Sequence, residues 1–128
     1  MNKALVALLA LPLLALGACT STYAVDVRNR TPQPISVELL ARDTEGNLAW
    51  IAQPVRLGPG DRGGAGPTTI DANRHALVRV DTPGNPGRPV MLDLRPGGTV
   101  VEVTQEGTTA SGPLHITELP REGSPSNR

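Results

Sequence analysis

The chain has 128 residues, with twelve Lys plus Arg against twelve Asp plus Glu and a formal net charge of zero. That balance, with the signs interspersed, excludes a basic face for nucleic acid or anionic headgroups. One Trp, one Tyr and no Phe exclude a stacking platform for bases or an extended aromatic track for glycans.

The chain opens with Met1-Asn2-Lys3, which carries a positive charge, then the uncharged apolar run Ala4 to Leu16, then the small residues Gly17 and Ala18. Charge, apolar run and small residues in that order read as an export signal over residues 1–18, removed in the mature protein. The run is too short to span a bilayer, which takes about 20 residues of helix, and Pro12 interrupts it. The signal ends on Cys19, the one cysteine of the chain. Leu16-Gly17-Ala18-Cys19 resembles the bacterial lipobox at all four positions. The resemblance implies a diacylglycerol on the Cys19 thiol, cleavage before it and acylation of the new amino terminus. It also implies a protein held to the membrane through lipid on Cys19. Two or three acyl chains anchor stably where one binds only marginally. The residue after the cysteine is Thr20, not the Asp that usually marks inner-membrane retention, so in a bacterium with an outer membrane the resemblance implies that membrane as the address, facing the periplasm. The alternative is an ordinary secretory signal that leaves Cys19 as a free thiol.

Thr20-Ser21-Thr22 read as a short tether, reaching roughly 10 Å at about 3.5 Å per residue. Residues 23–119 then read as one domain; no disulfide is available once Cys19 is lipidated, so its core alone must hold it. Gly and Pro, 14 and 13 in the whole chain, cluster between short apolar runs, the pattern of an all-β domain. Tyr23, Val25 and Val27 share one side of a first strand, opposite Asp26 and Arg28, and Asn29 to Pro34 turns the chain. Ile35, Val37, Leu39 and Ala41 form the next apolar side, and Asp43 to Asn47 is a turn rich in side chains that bond their own backbone. Leu48 to Ala52 carries Trp50, and Pro54 confines Pro54 to Leu57 to an edge or a strand start. Gly58 to Pro67 reads as the longest irregular stretch and Thr68 to Ala72 as a weak strand. His75 to Asp81 places Ala76, Val78 and Val80 on one side. After a turn over Thr82 to Gly87, Pro89 to Arg95 directs Val90, Leu92 and Leu94 inward. Thr99 to Gln105 carries Val101 and Val103, and the last strand carries Leu114 and Ile116. Residues 120–128 contain no apolar residue and read as a disordered tail.

About seven or eight short strands at regular spacing predict a small antiparallel β-sandwich, with a small open β-barrel as the alternative. Size and strand count resemble immunoglobulin and fibronectin type III domains in architecture. The position of Trp50, on the third strand, matches the buried tryptophan those domains often keep. Architecture alone implies no function.

No candidate for chemistry stands out. Gly58, Gly60 and Gly63 satisfy a GxGxxG spacing, but Pro59 interrupts it and no helix follows to meet a phosphate. His75 and His115 have no second ligand at metal spacing. Asp26, Asp81, Asp93 and Glu102 fall on polar strand sides beside Arg28, Arg79 and Arg95, where cross-strand ion pairs account for them. Ser21, Ser36 and Ser111 lack a nucleophile setting, and Asn29-Arg30-Thr31 fits a glycosylation acceptor that is usually idle in bacteria. The expectation is therefore no enzyme, no cofactor and no metal. The leading reading is a lipid-anchored, non-enzymatic interaction or structural module that meets another envelope protein. The alternative is a binding protein for a small ligand or ion, using Gly60, Asp61, Arg62, Asn85 and Arg88 in the two glycine-rich loops.

Overall fold

The computed structural model describes residues 19–120. The expected signal, residues 1–18, and the greater part of the expected tail lie outside the described residues. Nine strands follow in chain order: β1 Thr20–Asn29, β2 Ile35–Arg42, β3 Leu48–Trp50, β4 Val55–Leu57, β5 Arg62–Asp71, β6 His75–Asp81, β7 Val90–Asp93, β8 Gly97–Gln105 and β9 Leu114–Leu119. They form two sheets, β5-β1-β8-β9 and β3-β2-β6-β7, with β4 paired to β2 beside β3. The all-β sandwich expected from the alternation is the fold; neither sheet closes into a barrel.

The alternation does what it should on the strands that carry it. Tyr23, Val25 and Val27 of β1 and Val101 and Val103 of β8 point into the sandwich. They meet Ile35, Val37, Leu39 and Ala41 of β2 and Ala76, Val78 and Val80 of β6, all buried in one cluster. At the β2–β3 turn, Asp43 Oδ1 accepts hydrogen bonds from the Glu45 and Asn47 amides, each 2.9 Å. The backbone hydrogen bond from Asn47 is the largest influence holding the Asp43 carboxyl below its ordinary pKa. A carboxyl depressed in the folded state stabilises above its unfolded pKa, and that support is lost as pH falls through the folded one. The Glu45 and Asn47 amides should therefore lose protection, measured against their intrinsic exchange rates, once the pH drops below the usual aspartate range. In Asp43→Ala, which has no side-chain oxygen to accept these two bonds, both amides should lose that protection at every pH, as amide exchange by NMR would read.

Four expectations need correction. First, Thr20 to Thr22 is no tether: it lies in β1, paired with Asp71 to Thr69 of β5, and the Cys19 carbonyl accepts a hydrogen bond from the Ala72 amide at 3.0 Å. Any anchor on Cys19 is thus flush with the sheet.

Second, the stretch from Gly58 to Pro67 is mostly strand. β5 runs from Arg62 through the glycines, which lack the side-chain signal of a strand but supply the room this one needs. A Cβ on Gly63 would come within 2.6 Å of Leu57 Cδ2, and Gly66 has φ +84°, where the register against β1 shifts between Tyr23 and Val25. That combination is a bulge, which glycine accommodates.

Third, β1 and β8 pair in parallel, Tyr23 opposite Gly97 through Asn29 opposite Val103, so the sandwich is not wholly antiparallel.

Fourth, Trp50 is not in the core. It pairs with Leu40, which is buried but lies outside the core cluster that holds Leu39 and Ala41, and Trp50 itself is 62% exposed. The chain fills the core with Ile51 instead, whose amide donates to the Leu39 carbonyl at 3.0 Å. Trp50→Ala should therefore cost under about 1 kcal/mol, against about 3–5 for a core tryptophan. Acrylamide should readily quench the single-tryptophan fluorescence of the folded protein.

Candidate functional site

The strands bring the two expected loops to one end of the sandwich, opposite Cys19. Asn29, the last residue of β1, is 1% exposed and organises that end. Its Nδ2 donates to the carbonyls of Gln33, Leu57 and Gly58 at 2.9, 3.2 and 2.9 Å. Its Oδ1 accepts from Thr31 N and Oγ1 at 2.9 and 2.7 Å. The side chain thus ties the β1–β2 connection to the β4–β5 turn and is fully occupied in doing so. Gln33 continues the tie, with Nε2 donating to Gln105 Oε1 and the Ala110 carbonyl at 2.7 and 2.9 Å.

The five expected ligand residues divide between two places. Gly60 sits in the tight β4–β5 turn at φ +78° and donates its amide to the Asn29 carbonyl at 2.9 Å. Asp61 shapes the same turn, its Oδ2 accepting from the Gly58 amide at 3.1 Å. Arg62 opens β5 and pairs with Asp26 at 3.2 Å. Asn85 lies in the β6–β7 connection, where Nδ2 reaches the Gly112 carbonyl at 3.5 Å, and Arg88 is exposed beyond it.

Gly60 and Arg62 border a cavity of about 200 Å³ that Arg28, Asn29 and Arg30 complete. Asn85 and Arg88 are not part of it. Arg28 and Arg30 were missed as a pair because their alternation with Asp26 reads as an ordinary solvated strand side. Only the register shows that Arg28 stands opposite Arg62 on β5 and Glu102 on β8.

The expected ion pairs form with other partners than sequence proximity suggests. Glu102 takes Arg30 at 3.4 Å, Asp26 takes Arg62, and Arg79 Nε donates to Glu38 at 2.7 Å. Asp81 caps the next residue instead, accepting the Thr82 amide at 2.8 Å. Both histidines are exposed; His115 Nε2 lies 3.3 Å from Glu106. Among the described residues, no three His, Cys, Asp or Glu side chains come together to hold a metal.

The outer side of the second sheet is different in character. The register lines up Trp50, Leu40 and Leu77 across β3, β2 and β6. Leu48 and Met91, on the flanking strands, are 39% and 50% exposed. Leu48 pairs with Arg42, and Arg42 with His75, at the end of the sandwich where β1 begins at Thr20, next to Cys19. The outer side of the first sheet has a shallow trough instead, of about 550 Å³, where Ala24, Gly64, Gly66 and Gly98 present little or no side chain.

No family model matches this chain and no curated protein matches it. Among solved structures it is similar to one described as a "Trapped Toxin", with 10% sequence identity and a TM-score of 0.38. The match covers 77% of this chain, which spans 24% of that one.

Proposed function

We propose that this protein is a non-enzymatic interaction module, held to a bacterial envelope membrane by lipid on Cys19, that meets another envelope protein through the outer side of its second sheet. The observation that carries the reading is Trp50, 62% exposed at the edge of a row whose other members, Leu40 and Leu77, are buried. A large exposed aromatic on a flat sheet face, with Leu48 and Met91 beside it, is the composition of an interface core rather than of ordinary surface. The lipobox resemblance supports the anchor, and the exposed Cys19 next to the first strand is open to lipid attachment. Thr20 after the cysteine supports the outer membrane as the address.

The test is cross-linking and capture from the producing cells, with mass spectrometry of partners and of the Cys19 modification, on the unaltered protein and two variants. Cys19→Ala should leave the membrane fraction and lose the partner. Trp50→Ala should stay membrane-bound, fold normally and still lose the partner. Partner capture unchanged in Trp50→Ala would remove this face from the reading, and a Cys19→Ala protein that stays in the membrane fraction would remove the anchor.

A further inference from the structure

We propose that the end of the first sheet farthest from Cys19 binds a phosphate group on a soluble compound, held by Arg28, Arg30 and Arg62 over the Gly60 turn. Three observations converge there. The cavity of about 200 Å³ is lined by those three arginines, Asn29 and Gly60. Its charge is unbalanced: Arg62 pairs with Asp26 and Arg30 with Glu102, while Arg28 has no ion pair among the described residues. And Arg28 Nε is buried without a hydrogen-bond acceptor.

The register sharpens the case. Arg28 and Arg62 stand directly opposite on neighbouring antiparallel strands, a placement in which like charges repel, while Glu102, opposite Arg28 on β8, pairs with Arg30. An anion between Arg28 and Arg62 turns that repulsion into attraction, and a turn of the Arg28 side chain toward it gives Nε the acceptor that a buried donor needs. Asp26 and Glu102 do not line the cavity, and Asp61, nearest in the turn, directs its carboxylate to the Gly58 amide. The existing pairs are no obstacle, because the Arg30 and Arg62 side chains are 64% and 60% exposed and such pairs are weak.

Chemistry and size select the ligand. Guanidinium forks match phosphate oxygens two at a time, and three cations around one point suit a dianion better than a carboxylate. The volume is below that of pockets enclosing drug-sized molecules, about 300 Å³ upward, so the site holds the phosphate and leaves the rest of its bearer outside. The source follows from position, a step that rests on the anchored reading above. The ten residues of β1 at about 3.3 Å each carry the site roughly 30 Å from Cys19, beyond the headgroups of the anchoring membrane when β1 stands upright on it.

The test is a titration of the isotope-labelled protein, purified as its cell makes it in a non-ionic detergent, followed by backbone amide and arginine Nε–H NMR signals. Inorganic phosphate and glycerol 3-phosphate are added at constant ionic strength, with acetate as comparator. Saturable shifts confined to Arg28, Arg30, Gly60 and Arg62 are expected, largest at Arg28 Nε–H. Arg28→Gln should weaken binding about tenfold or more, one charge-assisted pair's worth, and Arg88→Gln should bind as the unaltered protein does. Arg30→Gln, at an exposed position, serves if Arg28→Gln fails to fold. Shifts spread over all arginines, no saturation, or undiminished binding by the cavity variants would overturn the site. A response to phosphatidylglycerol vesicles but not to either soluble phosphate would overturn the stated source. Because binding is read without partner or membrane, failure of the site and failure of the anchored reading are separate results.

Discussion

Asn29→Asp is expected to destabilise the domain by about 3–5 kcal/mol, the range for a buried charge left uncompensated. The change is almost isosteric, so packing is held constant and hydrogen-bond chemistry alone is altered. The Thr31 bonds can survive, because they run to an oxygen acceptor in both residues. The other oxygen would replace Nδ2 and face the carbonyls of Gln33, Leu57 and Gly58 with no hydrogen to offer. Three acceptors against an anion in a site 1% exposed cannot be relieved by water. At about 4–8 °C per kcal/mol for a domain of this size, the melting temperature followed by circular dichroism should fall by roughly 15 °C or more. The sign with pH is also fixed. Burial raises the folded pKa of the introduced carboxylate above its unfolded value. The deficit is thus greatest at neutral pH and shrinks as the pH falls through that raised pKa. Asn29→Ala has no such pH dependence and should cost about 2–3 kcal/mol, for donors and acceptors left unpaired. A loss below 1 kcal/mol in both variants would mean that this end is held by something other than Asn29.

Gly66→Ala is the second large effect, expected at about 2–4 kcal/mol. Two costs add. At φ +84° an L side chain is strained, by about 1–2 kcal/mol. The new Cβ would also lie 2.7 Å from the Tyr23 carbonyl oxygen and 3.2 Å from the Thr68 amide nitrogen, atoms of the β1–β5 ladder that cannot swing aside. Gly46→Ala separates the two costs. It has φ +86° and nothing within 4 Å, so it should show the conformational cost alone. Equal losses in the two variants, measured by denaturant unfolding, would show that the bulge yields and that the close approach at Gly66 is not a constraint.

How far the sequence could be read varies by strand, for identifiable reasons. Where apolar and polar residues alternate, as in Tyr23 to Val27, Ile35 to Ala41 and His75 to Asp81, both the strand and its buried side are legible. β5 was not: Arg62-Gly63-Gly64-Ala65-Gly66 reads as a loop because glycine weakens strand propensity. Only the partner strand shows that the glycines make space for Leu57 and the β1 carbonyls. Trp50 misled by its hydrophobicity, since a three-residue edge strand sets its facing by pairing with Leu40 and not by its own pattern. The arginine cavity was half visible. Gly60 and Arg62 came from loop composition, whereas Arg28 and Arg30 join them only through long-range register, which periodicity within one strand does not contain.

The parallel pairing of β1 with β8 sets a timetable for folding. β1 leaves the ribosome first among the described strands, yet each of its neighbours arrives late: β5 begins at Arg62 and β8 at Gly97. Sheet β5-β1-β8-β9 cannot be assembled from consecutive hairpins alone: β1 meets β5 only midway along the chain, and its other side waits for β8. Closing such loops costs entropy before any contact repays it, so folding belongs to the slow class of non-local β topologies, about milliseconds to seconds. A chain emerging amino end first, from a ribosome or through a pore, therefore cannot complete this sheet until β8 and β9, in its last third, have passed. This delay is written into the strand order and needs no chaperone to impose it.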